Sequence, residues 1–489
     1  MTFSDGVPGT DAHLVFTETG RAEAMRAAWD AYRGNLPDPF KIDSGQPNDN
    51  VKSNRFAAIV EKGVAFLFGQ VVKITTTDNT TAAGPAQDYL NTAWGDDDDR
   101  MTVLSKLAMN GAVCGHAFMK IIPPNVKAGK VFPRLVILDP QNVTVQTDPD
   151  DCDTVTAYTI EYATQDPLTG GATRKRQVIA RVDPDGLAGE YGDQDTDDTW
   201  TITNCLMRAG AWQVQGEPIA WPYPFAPIVD CQNLPNPNEF WGAPDLTPDL
   251  IEMGRVLNFV NSNISRILKM HAHPWVWARN TNASQISVAP GRIIVMPGQN
   301  AELQTLEMKS DLSSSMNFSA QLRSDMDEQS RVPGVALGRL TDLPKGTISG
   351  VALQLLFQPL IEKTVMKQRL FGRLMREASR RMLALGGFAY ATEVEIHWPN
   401  LLPIDDNVAA QSALLLMQLG ISKQTLMAEL GYDYATESGR SADEAETEQT
   451  NYLQGHGPPP AHLMPSAAPV NPDTEDTSNA SDTQGGKAA

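Results

Sequence analysis

Between Leu246 and Ile267 the sequence sets Leu246, Leu250, Met253, Leu257, Val260, Ile264 and Ile267 at alternating spacings of four and three. Only an α-helix, with 3.6 residues per turn, brings such positions onto one continuous line. The start is marked as clearly as the period. Thr247 is a good N-cap, Pro248 suits the first helical position, and Leu246 with Ile251 can form a hydrophobic staple. Pro274 ends the element. Asn258, Asn261, Ser262 and Ser265 leave the far side polar but uncharged. The apolar seam needs a cover, which either the chain's own core or another subunit can supply.

The segments downstream of this helix narrow the reading. Residues Trp275 to Leu306 turn to strand chemistry, with Trp275-Val276-Trp277-Ala278 and Arg292 to Met296 separated by the turn signals Pro290-Gly291 and Pro297-Gly298. A polar helix is expected over Ser313 to Gln329, with only Met316, Phe318, Leu322 and Met326 to bury. Pro333 to Gly350 carries too many glycines and prolines for regular structure and reads as a long exposed loop. Ser349 then caps a helix to about Leu385, on the order of 55 Å at 1.5 Å per residue, with a kink expected at Pro359. On its second half Phe371, Leu374, Ala378 and Met382 face one way, and Arg369, Arg373, Arg376 and Arg380 the other.

Upstream, residues 1–49 read as an arm with one helical stretch, Arg21 to Tyr32, and the core is expected to start near Asn50. Helices are expected at Val51 to Leu67 and Met101 to Gly111. Strands are expected at Val71 to Ile74, Ala117 to Ile122, Val131 to Leu138, Val143 to Gln146, Val155 to Tyr162, Gln177 to Val182 and Thr199 to Thr203. Downstream, Glu393 to Trp398 reads as a strand and 405–430 as two short helices. Much of the acidic, Pro- and Ser-rich stretch from Gly431, and all of it from Gly455, has too little apolar area to offset ordering entropy and is expected to be disordered. The fold class expected is α+β.

Composition removes several functions. Hydrophobic residues make up 41% of the 489, an ordinary globular usage, and 59 acids against 39 bases give a net charge of −20. Such a surface repels phosphate, which disfavours a sequence-reading nucleic-acid binder. Cys114, Cys152, Cys205 and Cys231 share no C-x-x-C spacing, against both a disulfide framework and a zinc site. No basic-then-apolar signal pattern or membrane-length apolar run is present, so neither export nor membrane insertion is expected.

The chemical motifs are near misses. Lys345-Gly346-Thr347 has the residue types of a phosphate-binding loop in the wrong order, and Gly346 to Gly350 places its serine one position late for a nucleophile elbow. Asp193, Asp195 and Asp197 imitate a calcium loop, but Asp198 stands where glycine is needed and Asn204 where a bidentate glutamate belongs. These residues and the runs Asp96 to Asp99 and Asp148 to Asp153 read as solvated acidic turns. His271 and His273 lack a third ligand and sit at a helix C-terminus, which favours them anyway. No catalytic residue, metal or cofactor is expected.

The order of two long helices flanking a small β insert, then a breaker-rich loop and a long helix, resembles the portal proteins of tailed double-stranded DNA bacteriophages, siphophage portals in particular. The likeness runs from about Asn50 to Asp433. Asn54 to Gly69 looks like the family's opening helix and strand, Ser349-Gly350-Val351-Ala352-Leu353-Gln354 like the start of its long kinked helix, and Lys367 to Arg381 like its continuation. The resemblance implies a ring of twelve subunits around a channel, at one capsid vertex of a virion assembled in the host cytoplasm. It implies a wing at 50–245, stem helices at 246–273 and 313–331 and a clip at 274–312. A channel loop would lie at 332–348, a kinked helix and wing strand at 349–404, a crown at 405–452 and a tail at 453–489.

Carried over residue by residue, the channel loop would present Arg339, Thr341, Asp342, Lys345 and Thr347 to double-stranded DNA without reading its sequence. The seam Leu246, Leu250, Met253, Leu257, Val260, Ile264 and Ile267 would form the stem interface. Arg279, Arg292 and Lys309 would be the clip candidates for docking the packaging ATPase and the head–tail adaptor. The major capsid and scaffolding proteins are the remaining partners implied. The rival readings are a capsid scaffold or interaction protein without a channel, which would need less β core, and an acid hydrolase, which would need a nucleophile motif or a rigidly held acid pair.

Overall fold

The computed structural model describes residues 10–42, 44–45, 48–76, 83–125, 129–166, 170–182, 199–272, 275–280, 300, 302–306, 312–339, 350–390, 392–402, 413–429 and 437–444. The chain divides into two units, 1–401 and 402–489. The class is α+β, and every strand pair among the described residues is antiparallel.

The first unit begins with α1 (Thr10–Tyr32), α2 (Arg55–Phe68), the short β1 (Lys73–Thr76), α3 (Ala83–Trp94) and α4 (Asp97–Cys114). All of the first four helices contribute to one core, α3 through Ala86, Leu90 and Trp94. Met25, Ala28 and Ala31 of α1 are buried with Phe56, Ile59, Val60 and Val64 of α2 and Leu104, Leu107 and Ala108 of α4. The expected N-terminal arm is therefore part of the core, and its helix begins at Thr10 rather than Arg21. Asn54 explains the junction. Its Oδ1 accepts from the Ala57 N–H at 3.3 Å as the N-cap of α2, while its Nδ2 donates to the Tyr32 carbonyl at 2.8 Å and ties α2 to the end of α1.

The acids at 96–99 also have a structural use. Asp96 caps α4, accepting from the Asp99 N–H at 2.8 Å, and Asp97 to Asp99 occupy the first turn, where the helix dipole favours negative charge. The expected free acidic turn is thus a helix start. Gly115 ends α4 at φ 85°, and a Cβ there would meet the Gly242 carbonyl at 2.2 Å.

Two sheets follow. The order β10-β2-β3, with β2 (His116–Ile122), β3 (Arg134–Leu138) and β10 (Ile228–Gln232), lies beside α4 and α7. The larger sheet runs β4-β5-β6-β7-β8, with β4 (Val143–Thr147), β5 (Val155–Gln165), β6 (Ala172–Val182), β7 (Thr199–Arg208) and β8 (Ala211–Val214), and β9 (Ile219–Trp221) also pairs β7. Phe118, Val143, Tyr158, Ile160, Ile179, Trp200, Trp221, Phe225 and Ile228 close a second core. Here His116 Nε2 lies 3.0 Å from Asp230 Oδ2, and the Tyr158 hydroxyl donates to Asp230 Oδ1 at 2.6 Å.

The remaining elements of this unit are α5 (Pro248–Ala272), the hairpin pair β11 (Trp275–Arg279) and β12 (Glu302–Leu306), α6 (Ser313–Ser330), α7 (Gly350–Leu385) and β13 (Val394–His397). β13 pairs with β1, joining the two ends of the unit in one two-stranded ladder. α7 continues through Pro359 as a single helix. The expected strand at Arg292 to Met296 lies outside the described residues. In the second unit, helices cover 413–418 (α8), Lys423–Glu429 (α9) and 437–444 (α10), the last inside a stretch of which much was expected to lack structure. The tail 453–489 lies outside the described residues.

Candidate functional site

The seam of α5 is partly buried within its own chain. Leu246, Leu250 and Leu257 are each 1% exposed, and Met253 and Val260 pack against the same core. Gly254 lies so close to Phe56 that a Cβ would meet its ring at 2.1 Å. Three of the seven expected interface residues are thus unavailable to a neighbouring subunit, because the chain's own core already covers them. Ile264 and Ile267 remain half-buried. Among exposed apolar groups, Val256, Phe259 and Leu268 belong to α5, and Met316 and Phe318 to α6.

Part of the polar side of α5 is buried too. Asn258 Oδ1 accepts from the Ser53 N–H at 2.9 Å, and Ser262 Oγ accepts from the Val51 N–H at 2.9 Å while donating to the Val51 carbonyl at 3.2 Å. An extended segment, 49–53, thus pairs with side chains as it would with a neighbouring strand. Arg266 extends the contact, pairing with Asp49 at 2.9 Å and lying 4.0 Å over the Phe40 ring. Asn261 Oδ1 accepts from Ser319 of α6 at 2.8 Å. Leu322 and Met326 bury on the same side of α6, so this polar helix is held by a sister helix through two apolar residues and small polar ones.

The last turn of α6 gathers charge. Asp327, 6% exposed, receives Arg55 of α2 at 2.5 Å on Oδ1 and Arg339 on Oδ2. An acid in a final helical turn faces the negative end of the dipole, so its cations are needed to hold it there. Arg331 closes α6 at φ 57°, its N–H donating to the Asp327 and Glu328 carbonyls. The next residues fold back in tight turns, Ala336 N–H to Pro333 O at 2.9 Å and Gly338 N–H to Val335 O at 3.0 Å, with Val332 and Ala336 buried. The first half of the expected exposed loop is therefore a packed turn. Of the five loop residues singled out from sequence, Arg339 sits at the end of this turn, one third exposed. Thr341, Asp342, Lys345 and Thr347 lie outside the described residues.

A second buried cluster joins α5, α6 and α7. Asp245, just before α5, lies 3.1 Å from Lys363 and 2.6 Å from Lys367 of α7, and accepts from Asn233 at 3.1 Å. Lys363 also donates to the Ser330 carbonyl at the end of α6, at 2.9 Å. Burial alone would push the Asp245 carboxyl up, but the two ammonium groups and the hydrogen bonds outweigh it and hold the carboxyl well below its usual range. Burial, opposed by Asp245, pushes Lys367 down to about 8. The opposite face of α7 carries Arg369, Arg373 and Arg376 exposed or half-exposed and Arg380 half-buried, as expected. Next to them Arg381 is used structurally, donating to the Ala226 and Ile228 carbonyls at 2.8 and 2.6 Å.

Of the three expected docking cations, Arg279 is exposed at the end of β11, opposite Glu302, and Arg292 and Lys309 lie outside the described residues. Among the described residues no group of three or more His, Cys, Asp or Glu could hold a metal, and no helix is long and apolar enough to cross a membrane. Asp245, Asp327, Lys363 and Lys367 were not singled out from sequence. One signal existed. The buried line Leu360, Thr364, Lys367, Phe371, Leu374 and Ala378 has helical spacing with a lysine inside it, and a lysine on an apolar seam calls for an acid.

No curated protein matches the chain. Residues 256–451, which include most of α5, the β11–β12 pair, α6, α7 and β13, match the family described as phage portal protein, SPP1 Gp6-like, a family of structural proteins, and this bears out the portal resemblance of the sequence.

Proposed function

We propose that the chain is one subunit of a twelve-membered ring at a single capsid vertex, through which double-stranded DNA enters and leaves the head. The supporting observation is that the family match falls on the run α5, β11–β12, α6 and α7 that distinguishes this chain from an ordinary α+β protein. In this reading α5 and α6 form the stem, 274–312 the clip that meets the packaging ATPase and the head–tail adaptor, and 332–348 the segment nearest the DNA. Since the seam of α5 packs against its own chain, neighbouring subunits meet through other surfaces, with Ile264 and Ile267 the seam residues left half-open.

The mechanism is mechanical. A chain of charge −20 repels phosphate overall, so DNA slides past a few local cations instead of adhering to a continuous basic wall. The test is the mass and appearance of the purified protein. A particle of twelve times 53.2 kDa with a central hole in negative stain is expected. A stable monomer or dimer under all salt conditions would overturn the ring.

A further inference from the structure

Asp327 binds two arginines of different character. Arg55 comes from the start of α2, is 17% exposed at its side chain, and approaches Oδ1 at 2.5 Å. Arg339 approaches Oδ2 from the packed turn after α6, and its side chain is 33% exposed, so it is open to solvent in part although its Nε is buried. Carboxylate and phosphate present the same pair of oxygens to a guanidinium and bind it in the same forked geometry. A buried carboxylate losing its last cation would be costly, but Asp327 losing Arg339 keeps Arg55. One carboxylate is therefore built with one fixed partner and one exchangeable partner.

We propose that Asp327 is an internal competitor for backbone phosphate. It holds Arg339 while no DNA is opposite, releases it to a passing phosphate, and takes it back when the phosphate moves on. This rests on the reading that 332–348 faces DNA, and it adds that adhesion through Arg339 is set by the carboxylate that holds it. Each phosphate contact then replaces an existing ion pair, so the net gain is small and the duplex is not held fast. The other anchor of the segment is separate, since Lys363 binds the Ser330 carbonyl and Asp245, not Asp327.

The test measures binding of the full-length protein to a short random-sequence duplex across a range of salt. Arg339→Gln is expected to weaken binding and to flatten the slope of log K against log salt by about one for each phosphate that Arg339 no longer neutralises. Asp327→Asn is expected to strengthen binding several-fold, and Asp327→Asn with Arg339→Gln to lose that gain. A gain that persists in the double variant would mean that Asp327 acts only as a distant negative charge, and would overturn the proposal. So would parental affinity in Asp327→Asn alongside weakened binding in Arg339→Gln, an outcome that leaves the DNA-facing reading standing. If the parent binds no duplex at any salt, that reading fails and the proposal with it. Arg55→Gln covers the case in which Asp327→Asn does not fold. It leaves Arg339 to balance Asp327 without Arg55, so it is expected to weaken DNA binding, and unchanged binding would overturn the exchange.

Discussion

Replacing Asp245 with Asn tests the junction of α5, α6 and α7 directly. The substitution keeps the shape of the side chain and its bond from Asn233 but removes the carboxylate facing two ammonium groups that are 6% and 5% exposed at 3.1 and 2.6 Å. Breaking a buried ion pair by removing one partner costs about 3–5 kcal/mol, because the other charge is left without compensation. The amide oxygen, in the Oδ1 place, can still accept a hydrogen bond from Lys363, so the lower end, about 3 kcal/mol, is expected in urea unfolding. Adding Lys363→Met and Lys367→Met should recover most of that loss, since a fully neutral junction strands no charge.

The pH dependence has a definite sign. The folded pKa of Asp245 lies below its ordinary value, so its contribution is present above about pH 4 and lost as pH falls through the folded value. Lys367 is pushed down from 10.5 to about 8, so between those values the unfolded chain binds more protons and stability rises with pH. Lys367→Met should abolish that rise. A D245N protein within about 0.5 kcal/mol of the parent, or a triple variant no more stable than D245N alone, would refute this account of the junction, since breaking a buried pair must cost more than that.

Other sites give simpler expectations. Leu257→Asp places a carboxylate in the core that α5 shares with α2 and should prevent folding of the subunit itself, seen as loss of soluble chain before any question of assembly. Gly254→Ala forces the Phe56 ring aside and should cost about 1–3 kcal/mol in urea unfolding. Ser379→Ala leaves the buried Trp94 Nε1–H, now bonded at 3.0 Å, without its partner, for a loss of about 1–3 kcal/mol and a shift in Trp fluorescence. Asn54→Ala removes both the α2 cap and the tie to Tyr32, and should cost about 1 kcal/mol or somewhat more by thermal melting.

The long helices were legible because period and caps are local properties. Thr247, Pro248 and the four-three spacing define α5, and Ser313 to Ser330 and Gly350 to Leu385 fall where sequence placed them. β8, β9 and β10 were not assigned, because Ala211–Val214, Ile219–Trp221 and Ile228–Gln232 are three to five residues long and are strands only by virtue of the neighbours they pair with. α3 was not assigned from sequence, since the helix breakers Gly84 and Pro85 stand in its first turn. Burial on α5 was not legible in its own sequence. Asn258 and Ser262 read only as a polar, uncharged far side, because nothing local announces that 51–53, some two hundred residues earlier, supplies their backbone partners. The charged clusters were hidden for the same reason: Arg55 meets Asp327 and Asp245 meets Lys367 across separations that no local pattern registers.

α7 carries cations of two physical kinds on opposite sides of one rod. The buried lysines exchange little with bulk ions, and Lys367 loses its proton in mild alkali, whereas the exposed guanidinium groups stay charged across that range yet are screened by ordinary salt. Two independent dials therefore act on a single helix. Ionic strength sets how its outer surface meets other molecules, and proton activity sets how firmly its inner surface is seated, so a titration in one leaves the other almost untouched.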